Sequence, residues 1–115
     1  MNNKIIHNVF LDIGFKPFSE RIDYQKNIEH NKAMNPDFKF MFWDDEKVNQ
    51  FIKMQPKDIK KIWNEFPSTF YKIDFVRYLI LKEFGGIYMD LDTITKIPLS
   101  IEDNETITGF WINKT

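Results

Sequence analysis

The sequence contains no cysteine among its 115 residues. Disulfide scaffolds, thiolate zinc sites and cysteine nucleophiles are therefore excluded. An excess of charge is also missing, since 16 Lys and Arg stand against 17 Asp and Glu. Nucleic-acid-binding modules usually carry a basic excess on one face, so we expect no nucleic-acid partner. No apolar run approaches the roughly 18 residues of a membrane span, and residues 1–7 lack the hydrophobic region of a signal peptide, so we expect none. We therefore expect a cytoplasmic protein without a membrane span.

Hydrophobic and aromatic residues are abundant. They make up 43% and 17% of the chain, and 12 of them are Phe. This content supports a packed core and excludes global disorder. The length fits one domain over residues 1–115.

Apolar patterns and turn residues predict the order of the secondary-structure elements. Asp44 can cap a short helix that runs to about Met54. Ser68 or Thr69 can cap the longest helix, and Gly85 with Gly86 can end it. The order implies an α/β domain with parallel strands at its centre. The predicted strands are residues 4–11, 38–43 and 87–92, and the predicted helices are residues 18–34, 44–54, a segment between Pro56 and Pro67, and residues 68–84. Side chains alternate along residues 38–43, with Phe38, Phe40 and Phe42 on one face and Lys39, Met41 and Trp43 on the other.

The helix over residues 68–84 carries two charges at unusual positions. At 100° per residue with Ile73 at the centre of the apolar face, Asp74 and Arg77 are predicted to point away from water. A buried charge is costly unless it is paired or binds a polar ligand. The two residues therefore form either an internal pair at positions i and i+3 or one wall of a polar pocket.

The strand over residues 87–92 places Tyr88, Asp90 and Asp92 on one face. Carboxylates two residues apart on a strand are separated by about 6.6 Å, so both can address one cation and its water shell. Oxygen ligands suit Mg²⁺ or Mn²⁺ carrying a diphosphate. The carboxyl edge of an open α/β sheet is also where such folds bind ligands. The pair alone does not distinguish a metal site from two acids on an exposed strand.

The combined pattern is more specific. An Asp-x-x-Arg motif at residues 74–77 precedes Gly-Gly-x-Tyr-x-Asp-x-Asp at residues 85–92. This block closely resembles the sugar-nucleotide-binding, DXD-containing region of family-32 glycosyltransferases. Residues 4–10 and 35–45 are similar to the first two strands of that family. The resemblance implies the Rossmann-like nucleotide-diphospho-sugar transferase fold (GT-A type), of which this chain would hold the N-terminal, donor-binding half.

The resemblance also implies a role for each motif residue. Asp92 would ligate a divalent metal, Mn²⁺ or Mg²⁺, and Asp90 would contact the ribose and the water shell of the metal. Tyr88 would line the nucleotide–sugar pocket, and Asp74 would bind hydroxyl groups of the donor. Arg77 would orient the sugar and oppose the charge that grows on the diphosphate.

The implied reaction is the transfer of a hexose from a nucleotide-diphosphate sugar to a glycan or a lipid-linked saccharide, with retention of configuration. The base would stack on Phe10, where the family often has Trp. An alternative is a fragment that binds sugar nucleotides without transferring them, or that needs a partner chain, because only 23 residues follow Asp92.

Two further expectations concern the end of the chain. The motif around Asp90 also fits the nucleophile strand of haloacid-dehalogenase-type phosphatases, but those enzymes need several more motifs downstream. The apolar residues of the last segment, among them Ile107, Phe110 and Ile112, would form an exposed edge, which predicts association through this segment.

Overall fold

Three short parallel strands form the sheet at the centre of the fold. A computed structural model describes residues 4–99 of the chain. The strands are β1 (Ile5–Val9), β2 (Lys39–Trp43) and β3 (Ile87–Tyr88), in the order β2-β1-β3. Both pairings with the central strand β1 are parallel. The predicted α/β class with parallel pairing at its centre is therefore confirmed.

Four α-helices connect the strands. The helix α1 (Ile22–Met34) lies between β1 and β2 in the chain. The helices α2 (Asp45–Lys53), α3 (Lys57–Glu65) and α4 (Thr69–Phe84) lie between β2 and β3. The chain thus runs from β1 outward to β2 and then crosses back past β1 to β3.

The predicted faces of β2 are confirmed by the two apolar clusters that they join. Trp43, with Met41 packed beside it, belongs to the larger cluster, which is built mainly from α2, α3, α4 and the end of β1. Phe38, with Phe40 packed beside it, belongs to the smaller cluster with Ile6, Ile87 and Met89. Alternation along the strand therefore gives both faces of the sheet an apolar cover.

Two of the predicted elements are longer than the observed ones. Residues 18–34 do not form one helix, because Phe18–Glu20 is a 3₁₀ helix and Arg21 leaves helical geometry with φ −95° and ψ 75°. The predicted strand 87–92 is wrong beyond Tyr88. The sheet hydrogen bond from Met89 N–H to the His7 carbonyl, at 2.9 Å, is followed by a turn in which Thr93 N–H donates to the Asp90 carbonyl.

The helix ends follow the predicted chemistry in most cases. Asp44 caps α2 by accepting a hydrogen bond from the Lys47 N–H at 2.9 Å. Gly85, with φ 69°, ends α4 and donates its N–H to the Leu81 carbonyl. Ser68 occupies the N-cap position of α4, but its side chain makes no capping hydrogen bond with the described residues.

The central strand carries a buried histidine. The indole N–H of Trp43 can only donate, and it lies 3.1 Å from His7 Nδ1. His7 Nδ1 is therefore the acceptor, and the proton on Nε2 donates to the Gly85 carbonyl at 2.9 Å. A neutral imidazole thus joins β1, β2 and the end of α4. Burial lowers the pKa of His7, and the hydrogen bond to Gly85 opposes this only in part.

The predicted association through residues 106–112 concerns a segment outside the described residues. Within residues 4–99, no helix is long and apolar enough to cross a membrane.

We expect Gly86→Ala to destabilise the fold more than Gly14→Ala. Both glycines have positive φ, 91° and 88°, so each alanine pays the same conformational cost, about 1–2 kcal/mol. A Cβ on Gly86 would in addition overlap the carbonyl oxygen of Ile5, whereas no described atom lies within 4 Å of one on Gly14. Urea unfolding followed by tryptophan fluorescence measures both losses. Equal losses would contradict the close approach of Gly86 to β1.

We also expect the free energy of unfolding to fall as the pH drops below about 6.5, the ordinary pKa of histidine. The folded state holds His7 neutral, so below that pH the unfolded chain binds the extra proton more readily. The slope can approach about 1.4 kcal/mol per pH unit. In His7→Gln this component disappears, because the amide can both donate and accept without titrating. Identical slopes for the two chains between pH 5 and 7 would refute the assignment.

Candidate functional site

A cleft of about 240 Å³ opens at the carboxyl ends of β1 and β3. The strand order reverses between these two neighbouring strands, and open α/β sheets bind ligands in the crevice at such a point. Four of the six site residues predicted from the sequence line this cleft: Phe10, Tyr88, Asp90 and Asp92.

The two aspartates reach the cleft from the turn after β3, not from a strand. Asp90 is half-buried and Asp92 is exposed. Leu91, between them, also lines the cleft, so the strict alternation that was predicted for this segment does not hold. Both aspartates still line the same cleft, as a shared cation requires.

Tyr88 lines the same cleft and is buried. Burial raises the pKa of Tyr88 well above its ordinary value, and the negative charge of Asp90 raises it further. The phenol is therefore protonated at neutral pH, and its side-chain hydrogen bond with Asp90 is a further cause of the raised pKa.

Arg77 lies behind Tyr88. Its guanidinium carbon is 5.5 Å from the centre of the Tyr88 ring and 5.6 Å from that of Tyr78, so it contacts the electron-rich rings of both. The side chain is 16% exposed. The predicted inward position of Arg77 is therefore confirmed, although the residue does not line the cleft itself.

The predicted inward position of Asp74 is wrong. Its side chain is 65% exposed, and its Oδ1 lies 3.3 Å from Nη2 of Arg77. The buried residues of α4 are Val76 and Ile80. An apolar face centred on those two residues, rather than on Ile73, leaves Asp74 about 140° away at 100° per residue. The i, i+3 pair exists, but at the surface, where such pairs contribute about 0–1 kcal/mol.

A basic and aromatic part of the cleft was not predicted. Lys16, Arg21 and Tyr24 line it. The Arg21 guanidinium stacks on the Tyr24 ring at 3.6 Å and pairs with both carboxylate oxygens of Asp23, at 3.1 and 2.9 Å. These residues follow β1, and a loop that follows a strand lies at the carboxyl edge of the sheet. That position was the signal in the sequence that could have identified them.

Phe10 belongs to the same aromatic part of the cleft. It follows β1 directly and donates its N–H to the Trp43 carbonyl. Its ring meets Phe18 and Tyr24 edge to face, with centroids 5.4 and 6.2 Å away. The ring is half-buried, so part of its surface is available to a planar ligand.

The donor set of the cleft fits a hard divalent cation. Residues 4–99 contain no group of three His, Cys, Asp or Glu side chains that could hold a metal by themselves. Asp90 and Asp92 would supply two carboxylates, and the remaining positions would go to water and phosphate oxygens. Mg²⁺ is commonly bound in this way, through one or two carboxylates and the phosphates of a substrate.

Curated proteins similar to this chain include glycosyltransferases of fungi and of a virus. Inositol phosphoceramide mannosyltransferase 1 of Schizosaccharomyces pombe is 29% identical over 84% of this chain and 30% of its own length. The initiation-specific alpha-1,6-mannosyltransferase of Candida albicans is 35% identical over 83% of this chain and 26% of its own length. An uncharacterized glycosyltransferase of Acanthamoeba polyphaga mimivirus is 31% identical over 80% of this chain and 36% of its own length.

The chain thus spans about a third or less of the length of these relatives. None of the three is a phosphatase, so they give no support to the phosphatase interpretation of Asp90. No solved structure is significantly similar to the chain. The family model "Glycosyltransferase sugar-binding region containing DXD motif" matches residues 22–109, which include the whole Asp74 to Asp92 block. The resemblance drawn from the motif is confirmed: the chain belongs to the DXD-containing glycosyltransferase family.

Proposed function

We propose that this chain forms the donor-binding part of a metal-dependent glycosyltransferase. The observation that carries the proposal is the convergence of Phe10, Tyr88, Asp90 and Asp92 on one cleft at the switch point of the sheet. The donor would be a nucleotide-diphosphate sugar, and the acceptor a glycan or a lipid-linked saccharide. Two of the relatives are named as mannosyltransferases, which supports a hexose as the transferred group.

Asp92 and Asp90 would hold the divalent cation, Mn²⁺ or Mg²⁺. When bound, the cation neutralises negative charge on the diphosphate and so helps this leaving group to depart. Asp92 is the better direct ligand because it is exposed, whereas half-buried Asp90 is placed to accept a hydrogen bond from a ribose hydroxyl or from a water of the cation.

Arg77 and Tyr88 would contribute to the part of the site that holds the diphosphate and the sugar of the donor. Tyr88 would line the pocket for the nucleotide and the sugar, and the charge of Arg77 behind it opposes the negative charge that develops on the diphosphate. Asp74, at the surface beside Arg77, would accept hydrogen bonds from sugar hydroxyls. We propose retention of configuration on the family resemblance alone.

The nucleobase would occupy the aromatic part of the cleft. Phe10 offers a ring on which a base can stack, and Tyr24 with its stacked Arg21 extends the same surface. Base-aromatic stacking contributes about 1–3 kcal/mol and tolerates any base, so these contacts would give affinity rather than base specificity.

A second candidate is sugar-nucleotide binding without transfer. The exposure of Asp74 favours it. The Asp74 side chain, which would bind the donor sugar, is 65% exposed among the described residues. Hydrolysis or transfer of the donor distinguishes the two candidates, because a binding-only chain would retain metal-dependent affinity without turnover.

We predict that Asp92→Asn weakens metal-dependent binding of a nucleotide-diphosphate sugar by at least about 10-fold, because the amide cannot replace a carboxylate charge on the cation. The fold should be unaffected, since surface substitutions usually change stability by less than about 0.5 kcal/mol. Titration calorimetry with UDP- and GDP-sugars, with and without Mn²⁺, measures the change.

The matched control is Asp37→Asn, which removes the same charge from an exposed turn outside the cleft. Unchanged donor affinity in Asp92→Asn would show that Asp92 does not hold the cation. A wild-type chain that binds neither donor with Mn²⁺ would contradict both candidate functions.

We predict that Arg77→Ala lowers the rate of donor hydrolysis by about 100-fold, as the loss of one preorganised electrostatic contact to the developing charge usually does. Arg77→Lys should keep part of the rate because it keeps the charge. Breaking the ion pair with Asp74 should not lower the rate further, since water solvates the exposed Asp74 carboxylate once Arg77 is removed. Lys82→Ala, an exposed cation on the same helix, serves as the control. A wild-type rate in Arg77→Ala would exclude an electrostatic role for Arg77.

A further inference from the structure

Where β3 ends, hydrogen bonds from side-chain amides replace those of the sheet. The carbonyl of Met89 accepts a hydrogen bond from Asn8 Nδ2 at 2.8 Å. The carbonyl of Leu91 accepts one from Asn27 Nδ2, also at 2.8 Å. These two carbonyls lie on either side of Asp90 in the chain. The Met89–Asp90 and Leu91–Asp92 peptide groups, which lead into the two aspartates, are thus each held by an asparagine from another element.

The same pattern continues past Asp92. The carbonyl of Thr93 accepts a hydrogen bond from Asn31 Nδ2 at 2.9 Å. Asn31 Oδ1 in turn accepts from the Thr95 N–H at 2.8 Å, so one buried amide holds the segment in both directions. Asp92 therefore also lies between two held carbonyls, those of Leu91 and Thr93.

The last contacts are farther from the aspartates. Asn35 Nδ2 donates to the Thr95 hydroxyl at 3.0 Å, and Asn35 Oδ1 accepts from the Leu99 N–H at 2.7 Å. His30 Nε2 lies 2.7 Å from the Thr95 carbonyl. Residues 91–99 are thereby hydrogen-bonded to the second half of α1 and to its C-cap residue Asn35.

The spacing of these contacts shows why they fit together. Asn27 and Asn31 are four residues apart, so they lie one above the other on a single face of α1, and Asn35 follows four residues later as its C-cap residue. The held carbonyls, those of Met89, Leu91 and Thr93, are two residues apart along the segment. We call the amides of Asn8, Asn27, Asn31 and Asn35 the asparagine ladder, because they supply regularly spaced hydrogen bonds to this segment.

The ladder also explains how α1 attaches to the domain. The buried residue of α1 is Asn31, 2% exposed, rather than a row of apolar side chains. A buried amide is costly unless its hydrogen bonds are made, so this helix is stable in one register only, in which the amides meet their partners. Apolar contacts would tolerate small shifts that the ladder does not.

We propose that the asparagine ladder positions the carboxylates of Asp90 and Asp92 for the cation. The inference rests on the proposed function, since it assigns the ladder a task at that same cation site. The ladder holds a carbonyl on each side of each aspartate, so the backbone that carries the aspartate side chain has a defined position. Partners that orient metal ligands typically change metal affinity about 10- to 100-fold when removed.

Asn27 gives the sharpest test, because it is half-buried and touches the peptide between the two aspartates. In Asn27→Ala we expect Mn²⁺-dependent binding of a nucleotide-diphosphate sugar to weaken about 10-fold. Asn35→Ala should have the opposite profile: this residue is 1% exposed, and the hydrogen bonds that its side chain makes with described residues go to Asn31, Thr95 and Leu99 rather than to residues 89–93. We therefore expect a larger drop in melting temperature and a smaller loss of affinity.

Asn27→Ala should thus lose more affinity, and Asn35→Ala more stability. A purely structural role would instead make the losses of affinity and stability rise together. Asn64→Ala on the exposed face of α3 is the control and should match the wild type in both measurements. Wild-type affinity in Asn27→Ala, or affinity losses that follow the melting temperatures, would overturn the proposal.

Hydrogen exchange separates this proposal from the proposed function. In Asn27→Ala the Thr93 and Thr95 amides should exchange faster than in the wild type, whether or not a donor binds. If the wild-type chain bound no nucleotide sugar, the proposed function would be wrong, and exchange would still test the ladder. Unchanged protection of these amides would overturn the ladder, and faster exchange would support its hold on the aspartate segment.

Discussion

The hydrogen-bonding demand of the chain beyond Tyr88 is the constraint on which the site depends. A backbone that leaves a sheet in a buried region must find partners for its peptide groups, or the fold loses about 1–3 kcal/mol for each one left unpaired. Here β3 ends after two residues, and the next carbonyls meet asparagine amides rather than another strand. The aspartates can therefore reach the cleft from a turn and still have a defined backbone.

The central strand supplies the other half of this arrangement. Asn8 holds the Met89 carbonyl, and the neighbouring His7 accepts from Trp43 and donates to the Gly85 carbonyl at the end of α4. Two consecutive polar residues of β1 thus fix both the start of β3 and its end. Gly86 permits this close approach, because any side chain there would meet the backbone of β1. The cleft is consequently built around β1.

The sequence was most informative where one local rule decides the outcome. The ends of α2 and α4 at Asp44 and Gly85 follow from capping chemistry, and the faces of β2 follow from alternation. The position of Asp74 depended on which arc of α4 meets the sheet, which is a tertiary property. The ladder was hidden for a similar reason: its rungs join residues about 60 or more positions apart, and an asparagine on a helix is usually a solvent-exposed residue.

The charge distribution of the cleft bears on the order in which its ligands would bind. Two carboxylates line the same small space as Lys16 and Arg21, but the carboxylate of Asp23 already neutralises much of the Arg21 charge. A diphosphate entering this space alone would meet two acidic groups and little net attraction. A divalent cation at Asp90 and Asp92 reverses that balance, because it attracts the diphosphate and completes its own coordination with the phosphate oxygens. In the proposed function the cation is therefore part of the binding surface, and the backbone that holds the two aspartates influences donor affinity as directly as any residue that touches the sugar.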